Sequence, residues 1–308
     1  MARETNTTSG IALVDKPQEW TSHDVVAKSR RLFNTRKVGH AGTLDPMATG
    51  LLVLGINSST RLLTYLVGLD KEYVATIRLG ASTVTDDAEG DILGYAPNAQ
   101  ITRVSSDDIT AGIVALTGDI MQVPSAVSAI KVDGQRSYAR VRSGEQVELA
   151  ARPVTVSEFE LLDQHALTVD DHAVIDLDVR VVCSSGTYIR ALARDLGFSL
   201  GVGGHLTALR RTRVGNFSVD EAPPFDPNGE APALMTPAEA ALRVFERLDL
   251  TADQARELIQ GKRPVVDAAD SPMSAAIDPE GRLVGLVQVK KTVARTIVNF
   301  PADEEKVH

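Results

Sequence analysis

The chain has 308 residues, 32 of them Lys or Arg and 41 Asp or Glu, so its formal net charge is −9. Hydrophobic residues make up 43% and charged residues 24% of the chain, as in ordinary globular proteins. The single cysteine, Cys183, excludes an intramolecular disulfide and a cysteine-based zinc cage.

The sequence has no apolar run of the roughly 18 residues that a membrane helix needs. The polar residues 1–10 also lack the apolar core of a signal peptide. We therefore expect a cytoplasmic protein with no membrane partner. The acidic balance, with an isoelectric point near 5.2, by itself argues against a nucleic-acid partner.

The charges are sorted along the chain. Segment 28–37 carries five basic residues and no acid, and segment 180–213 carries six arginines against one aspartate. Segment 82–119, in contrast, carries seven acids against one arginine. A chain with this pattern can present a basic face while it stays acidic overall. The alternative is that the arginines are scattered over solvent-exposed surfaces and form no common basic face.

Hydrophobic periodicity and turn residues predict the order of the elements. In chain order they are strand 10–16, helix 22–33, strands 51–56 and 71–79, helix 106–117, strands 153–162 and 173–183, helix 187–196, helices near 237–247 and 251–260, and strands 273–277, 282–289 and 294–299. Strands and helices do not alternate regularly, so a doubly wound α/β fold is disfavoured.

Composition also predicts the domain boundaries. Residues 124–152 mix a short apolar piece with a basic stretch and resemble an insertion more than a core segment. Residues 223–237 contain five prolines and form the best linker candidate. We therefore expect one large domain over residues 1–222 and a small β-rich module over residues 238–308.

The glycine-punctuated segment 39–50, GHAGTLDPMATG, contains the best candidate for chemistry. Pro46 makes the turn rigid and biases Asp45 away from helical geometry. A carboxylate held in this way can be a nucleophile, a general base or a metal ligand, although most Asp-Pro pairs are plain turns. No second acid or histidine has metal-ligand spacing, and the segment lacks a phosphate-loop ending, so we expect neither a metal site nor a phosphate-binding loop here.

Together with several other segments, this one resembles a known family, the TruB family of tRNA pseudouridine synthases. The segment VGHAGTLDPMATGLLVLGI resembles the family's nucleophile motif. Its companions, in the family's order, are GIALVDKPQEWTSHDVV, LDKEYVATIRLGASTVTDDAEGD, PSAVSAIKVDGQRSYARVRSGE, VVCSSGTYIRALARDLG and GGHLTALRRTRVG. The resemblance covers about residues 10–217.

The resemblance implies an α+β fold: a mixed, largely antiparallel sheet with flanking helices, followed by a small β-rich, PUA-like module. It also implies an isomerase that converts uridine 55 in the tRNA T-loop to pseudouridine, without a cofactor. The glycosidic bond from N1 is broken, the base turns, and C5 bonds to the same ribose carbon. The target base must be extruded from its stack, at a cost of a few kcal/mol.

The resemblance further implies the site residues. Asp45 is the nucleophile, which either attacks C1′ or takes a proton from C2′, and Arg190 is the cation that keeps its carboxylate ionised. Tyr73 stacks on the flipped base near C5. The remaining substrate-binding residues are His40, which holds the extruded nucleotide, and Tyr188 and Leu209, which complete the uracil pocket.

Basic residues are expected to contact the RNA backbone. The candidates are Lys28, Arg30, Arg31, Arg36, Lys37, Lys131, Arg136, Arg140, Arg142, Arg210, Arg211 and Arg213. A patch of Lys262, Arg263, Lys290 and Lys291 is a further candidate for RNA contact, although the carboxy-terminal module is acidic overall.

Three further expectations concern partners and alternatives. The protein is expected to be a monomer that needs tRNA but no protein partner. A synthase that acts only inside a guide-RNA particle is discounted, because such chains carry long basic tails and this one ends DEEKVH. A tRNA-folding chaperone is the alternative outside the enzymes. The two roles can coexist, but a pure binder has no need for an ionised Asp45.

Overall fold

The structure, a computed structural model, describes residues 7–125 and 149–301, together with the backbone of residues 131–132 and 135–136. The described residues of Met1–Pro46, Gly50–Val67 and Arg213–His308 form one compact unit, the terminal unit. Those of Met47–Thr49 and Gly68–Thr212 form a second, the middle unit.

The described part of the chain contains the following elements. The strands are β1 (Gly10–Lys16), β2 (Val38–His40), β3 (Thr49–Ile56), β4 (Lys71–Leu79), β5 (Ala81–Thr83), β6 (Ile92–Tyr95), β7 (Gly118–Gln122), β8 (Lys131–Val132), β9 (Gln135–Arg136), β10 (Arg152–Val169), β11 (His172–Cys183), β12 (Gly204–Val214), β13 (Phe217–Ser218), β14 (Glu246–Asp249), β15 (Ser271–Ile277), β16 (Leu283–Lys290) and β17 (Val293–Asn299). The helices are α1 (Ser22–Leu32), α2 (Leu63–Leu66), α3 (Asn98–Ile101), α4 (Ser106–Ala115), α5 (Ile189–Ser199), α6 (Pro237–Leu242) and α7 (Ala252–Ile259). Within the ranges described, no helix has the length and apolar character needed to cross a membrane.

In the terminal unit, β1 and β2 both pair antiparallel with β3. Helix α1 begins at Thr21, whose hydroxyl accepts a hydrogen bond from the Asp24 amide while the Asp24 carboxylate accepts one from the Thr21 amide. This capping box fixes where the helix starts. The helix and strands share one apolar core, formed by Ala12, Val14, Val25, Val26, Phe33, Val38, Leu52, Leu54, Ile56 and Phe225.

The carboxy-terminal part of the terminal unit is a four-stranded sheet in the order β14-β15-β16-β17. Only the β14–β15 pair is parallel; the other two pairs are antiparallel. Leu258 of α7 joins Val287 of β16 and Leu248 of β14 in its apolar core. The small β-rich module predicted for the end of the chain is thereby confirmed.

In the middle unit, five strands lie side by side in the order β12-β4-β11-β10-β7. The pairs β4–β11, β11–β10 and β10–β7 are all antiparallel. On β4, Tyr73, Ala75, Ile77 and Leu79 are buried, as their alternation predicts. With helices packed around antiparallel sheets, the predicted α+β class is confirmed.

Two departures from the predicted elements have a common cause. Strand β12 was not predicted, because GHLTALRRTRV mixes arginines into its alternation. The helix predicted over 237–247 ends at Leu242, because residues 246–249 pair with β15 instead. In both places, pairing with a distant strand outweighs the local pattern.

The helix α5 lies unusually close to the start of β12. A Cβ added to Gly197 would lie 2.2 Å from the carbonyl carbon of Gly203 and 2.3 Å from the amide nitrogen of Gly204. The Gly197 carbonyl also accepts hydrogen bonds from the amides of Val202 and Gly203, both at 3.0 Å. Only glycine at position 197 allows this approach.

We therefore predict that Gly197→Ala destabilises the protein by about 1–3 kcal/mol or more, although alanine is the better helix former. The added methyl group meets backbone, which cannot move aside. Urea unfolding followed by circular dichroism measures the change. Gly94→Ala is the matched control, since a Cβ there meets nothing within 4 Å. Equal stability of the two variants would contradict the packing argument.

A buried polar group lies at one end of β4. Lys71 and Cys183 are opposite each other in the β4–β11 register, and both are buried, as is Arg211 on β12. Burial, followed by the charge of Arg211, lowers the pKa of Lys71 to about 8. Burial raises the pKa of the Cys183 thiol to about 11. The protonated Lys71 is therefore a source of instability at neutral pH.

This arrangement predicts a pH dependence. Between pH 8 and the ordinary lysine value of 10.5, the unfolded chain holds a proton on Lys71 that the folded protein does not hold. Stability contributed by this group therefore rises with pH across that window. We expect the free energy of unfolding of the wild type to increase relative to that of Lys71→Met between pH 8 and 9. The Cys183 thiol, whose ordinary pKa is 9.0, is present in both proteins, so its own titration largely cancels in this difference. Parallel curves for the two proteins would refute the assignment.

Candidate active site

Asp45 lies half-buried in the loop between β2 and β3. The loop turns at Gly42, whose φ of +92° is in the left-handed region that glycine tolerates best. Residue Leu44, just before Asp45, is held by Ser22 of α1. The Ser22 hydroxyl accepts from the Leu44 amide at 2.8 Å and donates to the Leu44 carbonyl at 3.1 Å. Helix α1 thus fixes the backbone on one side of Asp45.

Lys16, at the end of β1, fixes the other side. Its side chain is fully buried, and its ammonium donates to three carbonyl oxygens, those of Pro17 (2.9 Å), Trp20 (2.6 Å) and Pro46 (3.2 Å). The Pro46 carbonyl also accepts from the Glu19 amide at 2.9 Å. The backbone on both sides of Asp45 is therefore tied down, which limits the positions that its carboxylate can take.

Sequence analysis did not single out Lys16. Its signal was weak but present: a lysine ends an otherwise apolar strand, directly before a proline. His40, which was predicted, is the last residue of β2 and is half-buried. Its ring contacts that of His23 edge to face, with centroids 5.6 Å apart. His40 and Asp45 thus belong to the same β2–β3 region of the terminal unit.

The other four predicted residues belong to the middle unit. Tyr73 on β4 and Leu209 on β12 are each 8% exposed, and their strands are neighbours in the sheet. Tyr188 is the N-cap residue of α5. Its amide donates to the Gln122 side-chain oxygen at 2.8 Å, and its carbonyl accepts from the Gln122 amide group at 3.1 Å. Gln122 of β7 thus holds Tyr188 at the start of the helix that carries Arg190.

Arg190 is buried in the first turn of α5. Its Nη1 donates to the Thr85 carbonyl at 2.9 Å and lies 3.3 Å from Oδ2 of Asp87, which is 2% exposed. Asp87 also accepts from the Thr85 hydroxyl at 2.5 Å and from the Glu89 amide at 3.0 Å. This buried ion pair joins α5 to the loop after β5.

A second ion pair repeats this link one helical turn later. Arg194 lies 3.3 Å from Asp86 and donates to the Val123 carbonyl at 2.7 Å. Asp86 in turn accepts from the Ser125 hydroxyl. Sequence analysis counted Asp86 and Asp87 only as part of an acidic segment. The sequence signal that could have revealed these ion pairs is the four-residue spacing of Arg190 and Arg194, which places both on one face of a helix.

The predicted RNA-contact residues fall into three groups. Arg30, Arg31, Arg36 and Lys37 are exposed, and Lys28, Arg210 and Arg213 are partly exposed. Arg140 and Arg142 lie outside the described residues, and so do the side chains of Lys131 and Arg136. Arg211 is 1% exposed, so the expectation that it contacts RNA is corrected: burial leaves its guanidinium no surface for a phosphate.

Family models match residues 30–224 and 245–301 of the chain. Residues 30–189 match the "TruB family pseudouridylate synthase (N terminal domain)". Residues 190–224 match the "tRNA pseudouridylate synthase B C-terminal domain", and residues 245–301 match "tRNA Pseudouridine synthase II, C terminal". The first of these alone contains Asp45, Tyr73 and Tyr188.

Two curated relatives share most of the sequence. The tRNA pseudouridine synthase B of Leifsonia xyli is 62% identical over 299 residues, which is 96% of this chain and 98% of that protein. The protein of the same name from Arthrobacter sp. is 54% identical over 308 residues, 97% of this chain and 98% of that protein.

Two solved structures share the fold. A Cbf5–Nop10–Gar1 complex contains a chain with a TM-score of 0.67 and 25% identity, covering 96% of this chain and 85% of that one. A chain in an H/ACA ribonucleoprotein bound to a substrate RNA with 2′-deoxyuridine has a TM-score of 0.66 and 23% identity, covering 96% and 86%. The sequence matches cover parts of both units, and the solved structures share the fold of this chain. The chain therefore belongs to the TruB family of pseudouridine synthases.

Proposed function

We propose that this protein isomerises uridine 55 in the T-loop of tRNA to pseudouridine, with Asp45 as the nucleophile. Pseudouridine synthases isomerise uridine in RNA, so family membership makes the chain an RNA isomerase. The names of its relatives support tRNA as the substrate. The observation that carries the choice of Asp45 is the anchoring of its two neighbours, Leu44 and Pro46, by separate groups.

The reaction is balanced within the nucleotide. The bond from C1′ to N1 breaks, the base rotates, C1′ bonds to C5, and the proton lost from C5 is matched by one gained at N1. Both routes open to Asp45, attack at C1′ or removal of the C2′ proton, need an ionised carboxylate at the ribose. A fixed loop suits this requirement because little reorganisation is needed as the reaction proceeds.

We assign the other residues by the family resemblance. Arg190 keeps the Asp45 carboxylate ionised. The guanidinium of Arg190 also donates to the Thr85 carbonyl and lies 3.3 Å from Asp87. Tyr73 stacks on the flipped uracil. His40 holds the extruded nucleotide, while Tyr188 and Leu209 line the base pocket.

The RNA backbone is proposed to lie along the basic segments. The described contact residues are Lys28, Arg30, Arg31, Arg36, Lys37, Arg210 and Arg213. Such dispersed contacts suit an RNA that is recognised by loop shape and splayed bases. We also propose residues 1–222 as the catalytic domain and residues 238–308 as a second domain. The separate sheet of β14–β17 supports the second domain, whereas the compact units divide the chain differently and place residues 1–46 with residues 213–308.

The first prediction concerns the nucleophile. Asp45→Asn removes the charge with little change in shape, so tRNA binding should persist while product formation falls below detection. Tritium release from tRNA labelled at uridine C5 measures turnover, and filter binding measures affinity. Asp107→Asn, an exposed carboxylate on α4, is the matched control. Near-wild-type release from Asp45→Asn would remove it from the mechanism. If that variant still refolds misfolded tRNA, the chaperone role stands apart from the chemistry.

The second prediction concerns Asp87 as a positioning residue. Asp87→Asn leaves Arg190 buried beside a neutral partner, which should destabilise the fold by about 3–5 kcal/mol. It should also lower kcat more than it raises KM, because the guanidinium loses its orientation. Adding Arg190→Met should recover part of the stability but none of the activity. Asp91→Asn, exposed in the same acidic segment, is the control. Additive stability losses in the double variant would show that the pair is not coupled.

A further inference from the structure

The second arginine on the buried face of α5, Arg194, is held between two carboxylates. Its Nε donates to Oδ1 of Asp195 at 2.9 Å, and its Nη1 donates to Oδ2 of Asp86 at 3.3 Å. Its Nη2 lies 2.8 Å from the same Asp195 oxygen and donates to the Val123 carbonyl at 2.7 Å. All three nitrogens of the guanidinium are therefore engaged, and its rigid fork fixes where these partners lie.

Asp86 connects this arginine to the chain that follows β7. The Ser125 hydroxyl donates to the same Asp86 oxygen that accepts from Arg194, and Ser125 is fully buried. Val123, two residues earlier, is held by Arg194 itself. None of the roles assigned above uses Arg194, Asp86 or Ser125, although their contacts link β7, α5 and the loop after β5.

The backbone at Asp86 is constrained as well. Its φ of +60° is in the left-handed region, which aspartate adopts more readily than most residues with a Cβ. The Asp86 carbonyl accepts from the amide of Leu206 on β12 at 3.0 Å, and Asp87 forms an isolated bridge with the same residue. Because no flexible segment separates the two aspartates, a change in the position of Asp86 is passed on to Asp87.

Asp87 is in turn the partner of Arg190. The two arginines are one turn apart on α5, and their two partners are consecutive in the chain. The Arg190–Asp87 pair is almost completely buried, with side chains 5% and 2% exposed, whereas those of Arg194 and Asp86 are 29% and 15% exposed. The direction of the buried Asp87 carboxylate therefore depends on how the outer pair holds the turn.

We propose that Arg194 and Asp86 are positioning residues for the isomerisation. They hold the turn that orients the Asp87 carboxylate, and Asp87 orients the Arg190 guanidinium. This inference rests on the proposed function in one respect, the role of Arg190 in keeping Asp45 ionised. A purely structural role, in which the pair only anchors the chain after β7, is the alternative that the experiments test.

Asp86→Asn and Asp195→Asn form a matched pair of variants, because each removes one carboxylate from Arg194 and leaves the other in place. Neither leaves the guanidinium without a charged partner, so both should fold with a urea midpoint close to that of the wild type. Only Asp86 belongs to the turn that carries Asp87. We therefore expect Asp86→Asn to lower kcat about tenfold with KM for tRNA nearly unchanged, since a small misplacement can cost up to about a hundredfold in rate. Asp195→Asn should keep both constants.

Arg194→Gln tests the other half of the same pair. It should lower kcat to a similar extent, and combining it with Asp86→Asn should add little further loss, because both changes remove one interaction. Wild-type kcat for Arg194→Gln would remove Arg194 from the assignment. Fully additive losses in the double variant would show that the two residues do not act together.

Hydrogen exchange gives a readout that needs no turnover. The Glu89 amide donates to the Asp87 carboxylate at 3.0 Å, so its exchange rate reports on how firmly that carboxylate is held. In the protein without RNA, this amide should exchange several times faster in Asp86→Asn than in the wild type. In Asp195→Asn its exchange should be unchanged. Equal exchange in all three proteins overturns the proposal.

The outcomes separate this inference from the proposed function. If the wild type forms no pseudouridine in tRNA, the proposed function fails, and exchange at Glu89 alone decides whether Asp86 orients Asp87. If pseudouridine forms and Asp86→Asn turns over tRNA at the wild-type rate, this inference fails while the proposed function stands. Equal losses of kcat in Asp86→Asn and Asp195→Asn also overturn it, because they indicate a general loss of structure around Arg194.

Discussion

The geometry around Asp45 depends on one buried ammonium group, that of Lys16. A fully buried cation is costly unless it is well hydrogen-bonded, and three carbonyl oxygens accept from this one. Those carbonyls belong to the turn after β1, the residue before α1 begins and the residue after Asp45. One side chain thus ties a strand end, a helix start and the Asp45 loop together.

The middle unit uses buried charge in the same way. Arg190 and Asp87 are both nearly inaccessible, and the loop after β5 closes around their contact through Thr85 and Glu89. Such a pair adds little net stability over an apolar one, but breaking it is expensive, so it specifies a unique arrangement. The close approach at Gly197 has a related effect, because it fixes the helix that carries Arg190 against the start of β12.

The net charge of −9 turned out to be a poor guide to the partner. Acidic residues are concentrated in segment 82–119, where Asp86 and Asp87 serve α5 inside the fold rather than a surface. The exposed arginines of segment 28–37 lie on or just after one helix. Arg211 shows the limit of this reasoning, since a basic residue in a basic segment can be buried in a sheet.

The sequence by itself determined most of the elements, the α+β class, the small β-rich end and the family. These follow from signals that are local: period-two alternation in β4, the Thr21 cap of α1, and the unbroken glycine-aspartate segment around Asp45. Only the tertiary structure decided which charges lie inside and what they hold. The Lys16–Pro46 bond spans 30 residues and the Arg190–Thr85 bond spans 105. Contacts between such distant residues leave no periodic trace in the sequence, because they arise only when separate strands and helices pack together.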